Sequence, residues 1–263
     1  MRGRCVRGGF QITCHPMLEP TTQSTILQAV DDLFDQQIDF LKQLVAIPSL
    51  RGQEAPAQDL IAATLRRFGY EVDQWKLNID ELKVHPGFSP VMYADYERAY
   101  DVVGTHRPRK SQGKSLILQG HVDVVPTGPA EKWSTPPFTP TIRDGWMYGR
   151  GAGDMKNGVS ANLFAVEAIK RAGYQPAATL YQQSVIEEEC TGNGALATLL
   201  RGYQADGVFI SEPHREELMN AQVGVLWVQV ELNVMPVHAG YAASTFNLIE
   251  ACFPIMQALR QLE

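Results

Sequence analysis

An α/β fold built on a doubly wound sheet is what this chain predicts, on three observations. Compact apolar runs of strand length alternate with stretches whose apolar residues recur every three or four positions. The runs are short enough for strands and the periodic stretches long enough for helices. His121 and Asp123, Glu187-Glu188-Glu189 and Glu212 all stand where an apolar run ends. Ligands of such sheets bind beyond the carboxyl ends of the strands, so this ladder of polar residues marks the functional end.

Residues 24–47 read as a helix. Leu27, Val30, Phe34, Ile38, Leu41 and Leu44 follow the helical period, and Pro48 closes it. Residues 55–68 read as a second helix, ended by Gly69 in the manner of a C-terminal glycine cap. Residues 70–77 alternate as a strand. The stretch 78–112 is polar, contains Pro86, Pro90 and Pro108, and holds one short strand near residues 101–104. Residues 115–119 form a compact apolar strand leading into Gly120-His121, followed by a Pro- and Thr-rich loop over 126–140. Residues 155–172 are helical, with Val159, Leu163, Val166 and Ile169 on one side. A strand over 178–186, a helix over 194–201 and a strand over 207–211 complete the alternation. After Pro213 the style changes. A long strand over 223–234 and a helix over 244–262, with Pro254 as a kink point, open a second, α+β domain.

The bulk properties exclude several classes. The chain has 263 residues, 44% hydrophobic and 20% charged, as in soluble globular proteins. A net charge of −6 without a Lys/Arg stripe argues against nucleic-acid binding. No apolar run approaches the roughly 18–20 residues that span a bilayer. Cys5, Cys14, Cys190 and Cys252 show no CxxC spacing, which fits free thiols in a reducing, cytoplasmic compartment. Residues 1–17 carry Arg2, Arg4 and Arg7 but no apolar stretch of a secretory signal. Residues 1–23 are expected to be a disordered extension, with Met17 as a natural start.

One imidazole and several carboxylates on successive strand ends are what a two-metal hydrolytic site requires. Taken singly, each residue has a bland reading. His121 could be a hydrogen-bonded structural histidine. Alternatively, Asp123, on the same side of a strand, could fix its tautomer for metal binding. Asp154, in Gly149-Arg150-Gly151-Ala152-Gly153-Asp154-Met155-Lys156, could cap a helix or bridge two cations. That run is not GxGxxG, and Gly113-Lys114-Ser115 has Pro108 where a P-loop needs its first glycine. Three adjacent glutamates resist burial unless a dication reverses the penalty. His214 reads as a surface residue, and His238 alone as a turn histidine.

Together the motifs are specific. Gly120-His121-Val122-Asp123-Val124-Val125-Pro126, Trp133 with Pro137-Phe138, and Asp144-Gly145-Trp146-Met147-Tyr148-Gly149-Arg150-Gly151 come first. Asp154-Met155-Lys156, Glu187-Glu188-Glu189 and Ser211-Glu212-Pro213 follow. With these, residues 24–263 resemble the metal-dependent M20 amidohydrolases, the group of acetylornithine deacetylase, succinyl-diaminopimelate desuccinylase, aminoacylase and carboxypeptidase G. The resemblance implies a zinc-peptidase-like catalytic domain over residues 24–218 and an inserted, ferredoxin-like α+β lid and dimerisation domain begun at 219–263 and incomplete. It implies two Zn2+ ions, replaceable by cobalt. His121, Asp154 and Glu212 would hold one and Asp154 and Glu189 the other, with Asp123 orienting His121. Glu188 would be the general base, although three successive glutamates leave the register open by one. His238 would reach a partner subunit's site and hold the scissile carbonyl oxygen, and the Asp154–Met155 peptide would be cis. The implied substrate is a small N-acylated amino acid, of the acetylornithine or succinyl-diaminopimelate type, and the implied partner a second copy through the lid. Family members continue beyond this length and add a last His ligand. An inactive remnant and an M20 aminopeptidase or dipeptidase are therefore the alternatives.

Overall fold

The computed structural model describes residues 18–90, 96–214, 217–219, 221, 224, 229–238, 240–241 and 247–261. The chain divides into two compact units, residues 1–216 and 217–263.

Unit 1 opens with α1 (Pro20–Ala46) and α2 (Ala55–Arg67). Helix α1 takes in residues 20–23, which the sequence reading assigned to the extension. Pro20 suits the first helical turn, where its missing N–H is not needed. The buried stripe of α1 is Ala29, Leu33, Phe40, Leu41, Leu44 and Val45, whereas Leu27 and Phe34 are exposed. The helix carries two apolar stripes, and its packing partner α4 (Lys156–Arg171) covers the one containing the small Ala29. Phe40 and Phe68 meet Phe164 of α4 with ring centroids 5.8 and 5.5 Å apart.

The sheet contains β1 (Glu71–Lys76), β2 (Tyr100–His106), β3 (Leu116–His121), β6 (Leu180–Val185) and β7 (Gly207–Ile210), in the order β1-β2-β6-β3-β7. Strands β6, β3 and β7 are parallel, and β1 and β2 join antiparallel. The sheet is therefore mixed. A parallel pair needs a crossover of a dozen or more residues, usually a helix. Among the described residues between β1 and β2, the helix is the four-residue α3 (Ile79–Leu82), whereas α4 separates β3 from β6.

Helices cover both faces. Leu65 of α2 lies over Gly104, and Val159 of α4 lies so close over Gly120 that an added Cβ would sit 2.7 Å from its Cγ2. Register places Gly104, Gln182 and Gly120 on that face. On the opposite face, Asp101 meets α5 (Asn193–Leu200) at Gly194. A separate hairpin, β4 (Thr141–Arg143) and β5 (Trp146–Tyr148), lies inside the stretch that reads as loop and motif. Asp144-Gly145 makes its turn, both residues at positive φ.

In unit 2 the described element is α6 (Leu248–Arg260), with Pro254 inside it and Asn247 capping it by accepting from Ile249 N. The expected strand over 223–234 falls partly outside the described residues, and 229–234 form no strand.

Candidate metal centre

His121 is the last residue of β3, 1% exposed, on the face that α5 covers. Its Nδ1 lies 3.0 Å from the backbone oxygen of Asp123 and 3.3 Å from Asp123 Oδ1. The same carboxylate accepts the backbone N–H groups of Glu188 (3.3 Å) and Glu189 (3.1 Å). Asp123 thus ties the end of β3 to the turn after β6. The other ring nitrogen, Nε2, is buried without a well-directed hydrogen bond. Around it stand Asp154 Oδ1 at 3.3 Å, Glu212 Oε1 at 3.5 Å and Glu188 Oε2 at 3.6 Å.

Each carboxylate arrives from a different element. Asp154 lies in the turn before α4, its peptide bond to Met155 is cis, and the residue flanking the helix is Met155. Asp154 is therefore not a helix cap, and its side chain is free to face His121. Glu188 and Glu189 follow the end of β6. Glu212 stands two residues past β7, and Ser211 packs against Gly158 of α4. Glu187, the first of the three glutamates, points elsewhere. It is 3% exposed, and its Oε2 accepts from Tyr96 Oη (2.5 Å) and Thr191 Oγ1 (2.8 Å).

The electrostatics follow from this crowding. Burial alone would lower the His121 pKa, but Asp123 on one nitrogen and Asp154 on the other push it up to about 11. The His121 contact holds Asp154 below the usual carboxylate range. Burial raises Glu188 and Glu189, and pushes Glu212 up to about 7 with Asp154, Glu188 and Glu189 adding to it.

Two ligand groups result, His121 with Glu188 and Glu212, and His121 with Asp154 and Glu189, each with donor atoms within 4.8 Å of one another. An imidazole nitrogen among carboxylate oxygens suits a divalent metal ion. The orphaned Nε2 aimed into the oxygens is the feature a dication would satisfy. Both groups draw on the same imidazole.

His238 lies in unit 2 and is exposed. Its Nδ1 accepts from Gly240 N at 3.1 Å, and its ring is 6.4 Å from that of Tyr241. His214 is exposed as expected. Sequence reasoning missed Tyr96, Thr191, Asn193 and Lys156. Tyr96 sits in a polar, Pro-rich stretch with no local signal. Lys156 was visible in the Asp-Met-Lys motif but had no role. It is fully buried, and its Nζ donates to Leu44 O (2.9 Å) and Ile47 O (2.8 Å) at the end of α1.

The model of peptidase family M20/M25/M40 matches residues 117–259, just over half of the chain. N-formyl-4-amino-5-aminomethyl-2-methylpyrimidine deformylase of Halalkalibacterium halodurans is 30% identical over 251 residues, 90% of this chain and 55% of that protein. Succinyl-diaminopimelate desuccinylase of Paracidovorax citrulli is 31% identical over 232 residues, 84% of this chain and 56% of that protein. Human carnosine dipeptidase 1 superposes with a TM-score of 0.52 at 25% identity, over 68% of this chain and 36% of that one. The chain spans about half the length of the curated relatives it matches.

Proposed function

Since the chain belongs to peptidase family M20/M25/M40, we propose that its site serves metal-dependent hydrolysis of the amide bond in a small N-acylated amino acid. The observation that carries this reading is the buried, unpartnered Nε2 of His121 facing Asp154, Glu188 and Glu212. In this proposal His121, Asp154, Glu189 and Glu212 hold two zinc ions, for which cobalt can substitute. Bound there, the metals supply Lewis acidity to the amide carbonyl and acidify water at neutral pH. The residues of the chain do the rest. Asp123 fixes the ring of His121 through Nδ1. Glu188, exposed at the site and raised in pKa by desolvation, takes the proton of the attacking water and returns it to the leaving amine. His238, reaching the site of a partner subunit, donates to the developing oxyanion there.

The acyl group we favour is succinyl, on the similarity to succinyl-diaminopimelate desuccinylases, with acetylornithine as the next substrate to try. A dipeptide is a further candidate, on the likeness to human carnosine dipeptidase 1. A cytoplasmic setting and a homodimer through unit 2 belong to the same proposal. No described helix is long and apolar enough to cross a membrane. A second reading is metal binding without turnover. It draws support from the single imidazole that both ligand groups share.

The test joins metal analysis of the purified chain with rates on N-succinyl-diaminopimelate, N-acetylornithine and a dipeptide. Hydrolysis that is lost with a chelator and restored by zinc is expected. Tight zinc without hydrolysis of any of the three selects the second reading, and less than one zinc per chain removes both.

A further inference from the structure

Two neighbouring residues of an extended strand point to opposite sides. Yet Glu188 and Glu189 both belong to ligand groups around one imidazole. The backbone must therefore turn sharply just before them, and it does so at Glu187, whose φ is +62°. That left-handed region is uncommon for a residue with a side chain and persists where surrounding contacts over-determine it.

The contacts are present. The carbonyl oxygen of Glu187 accepts from the N–H groups of Cys190 (3.4 Å), Thr191 (3.0 Å) and Gly192 (2.8 Å). Its carboxylate accepts from the hydroxyls of Tyr96 and Thr191. Tyr96 is in turn held by Asn193, whose Nδ2 donates to the Tyr96 hydroxyl (3.1 Å) and to Ser89 O (2.8 Å) and whose Oδ1 accepts from Ser89 N (3.2 Å). Thr191 Oγ1 also accepts from Asn193 N at 3.1 Å. On the other flank Asp123 receives the N–H groups of Glu188 and Glu189. The turn is pinned at both ends, and its first carboxylate is engaged by two hydroxyls.

We propose that Glu187 and Tyr96 are positioning residues of the metal centre, whose hydrogen bond fixes the turn so that the next two glutamates face the same dications. The inference rests on the metal-binding reading above. Neither residue touches the metal or the substrate. They act by selecting which two of three adjacent carboxylates are presented, and by keeping the third from competing for the ions.

The experiment titrates metal-free protein with Co2+, reading both calorimetric affinity and the visible absorption bands, in wild type, Tyr96→Phe and Glu187→Gln. Arg201→Met is the control, since it breaks the bidentate pair with Asp73 at the far edge strand β1. Loss of a group that orients metal ligands weakens metal affinity by about 10- to 100-fold. The two turn variants should show a loss in that range with altered absorption bands, and the control neither. A merely structural role would leave the bands of the bound ion unmoved. If Tyr96→Phe does not fold, Thr191→Val removes the other hydroxyl and carries the same comparison. Folded turn variants with wild-type affinity and spectrum overturn the inference alone. A wild type that takes up no dication overturns it together with the reading it rests on.

Discussion

Glu54 is 1% exposed, and neither of its carboxyl oxygens is hydrogen-bonded. Burial, reinforced by the charges of Asp123 and Glu187, pushes its pKa up to about 7. The group binds its proton more tightly folded than unfolded. Its contribution to stability is therefore full below about pH 4.5 and is lost as pH rises through about 7. The loss is on the order of 3 kcal/mol over that window. Urea unfolding of Glu54→Gln should show a gain approaching this size over wild type at pH 8 and almost none at pH 4.5. An equal gain at both pH values would show that ionisation is not the cause. Lys156 is a buried cation: burial lowers its pKa to about 7, and its Nζ donates to Leu44 O and Ile47 O, which also accept from the N–H groups of Ile47 and Ser49. Among these residues, the sequence announced Glu188, Glu189 and Glu212 by their strand-end positions. It could not announce Tyr96, because its partner Glu187 is 91 residues away.

At the level of elements, α5 and β7 show where packing overrides local preference. Alanine is favoured over glycine inside a helix by about 1 kcal/mol. At position 194, however, an added Cβ would collide with the backbone carbonyl and nitrogen of Ile186. Overpacking costs about 1–3 kcal/mol, and backbone cannot yield as a side chain can. Gly194→Ala should therefore destabilise by about 1–2 kcal/mol. It should also shift the strand end that carries the Glu triplet, which would appear as weakened metal uptake. An unchanged unfolding midpoint would contradict this. Among the described residues, strand β7 is the edge of a parallel arrangement, a setting that normally buries both faces. Its Val208, Phe209 and Ile210 are 55%, 50% and 51% exposed. Such an edge favours self-association. Light scattering should find an apparent mass that rises with concentration for wild type and stays constant for Phe209→Lys. The strands and helices from residue 24 to 211 were legible because periodicity reports which side is buried. The β4–β5 hairpin and α3 were not, since elements of three or four residues are too short to display a period.

On the scale of the whole molecule, every residue of the two ligand groups lies in unit 1 and His238 lies in unit 2. Helix α6 has no buried residue, whereas unit 1 holds the main apolar core. A chain ending at residue 216 should therefore keep the divalent-metal stoichiometry and the cooperative unfolding of the 263-residue form. Any amide hydrolysis should fall with the loss of His238. Metal titration and denaturation of the shortened chain check the first expectation, and turnover checks the second.

The sequence by itself determined the α/β class, the order of the main elements of unit 1, and the acids and the imidazole that collect at one end of the sheet. These depend on apolar periodicity and on which residue ends each strand, both local properties. Only the tertiary structure decided the antiparallel edge of β1 and β2, the stripe that α1 buries, and the turning of the Glu187 carboxylate away from His121. Each involves a surface remote in sequence. In the last, Glu187 accepts from Tyr96, while Asp123 accepts the N–H groups of Glu188 and Glu189, the two glutamates that stand in the ligand groups around His121.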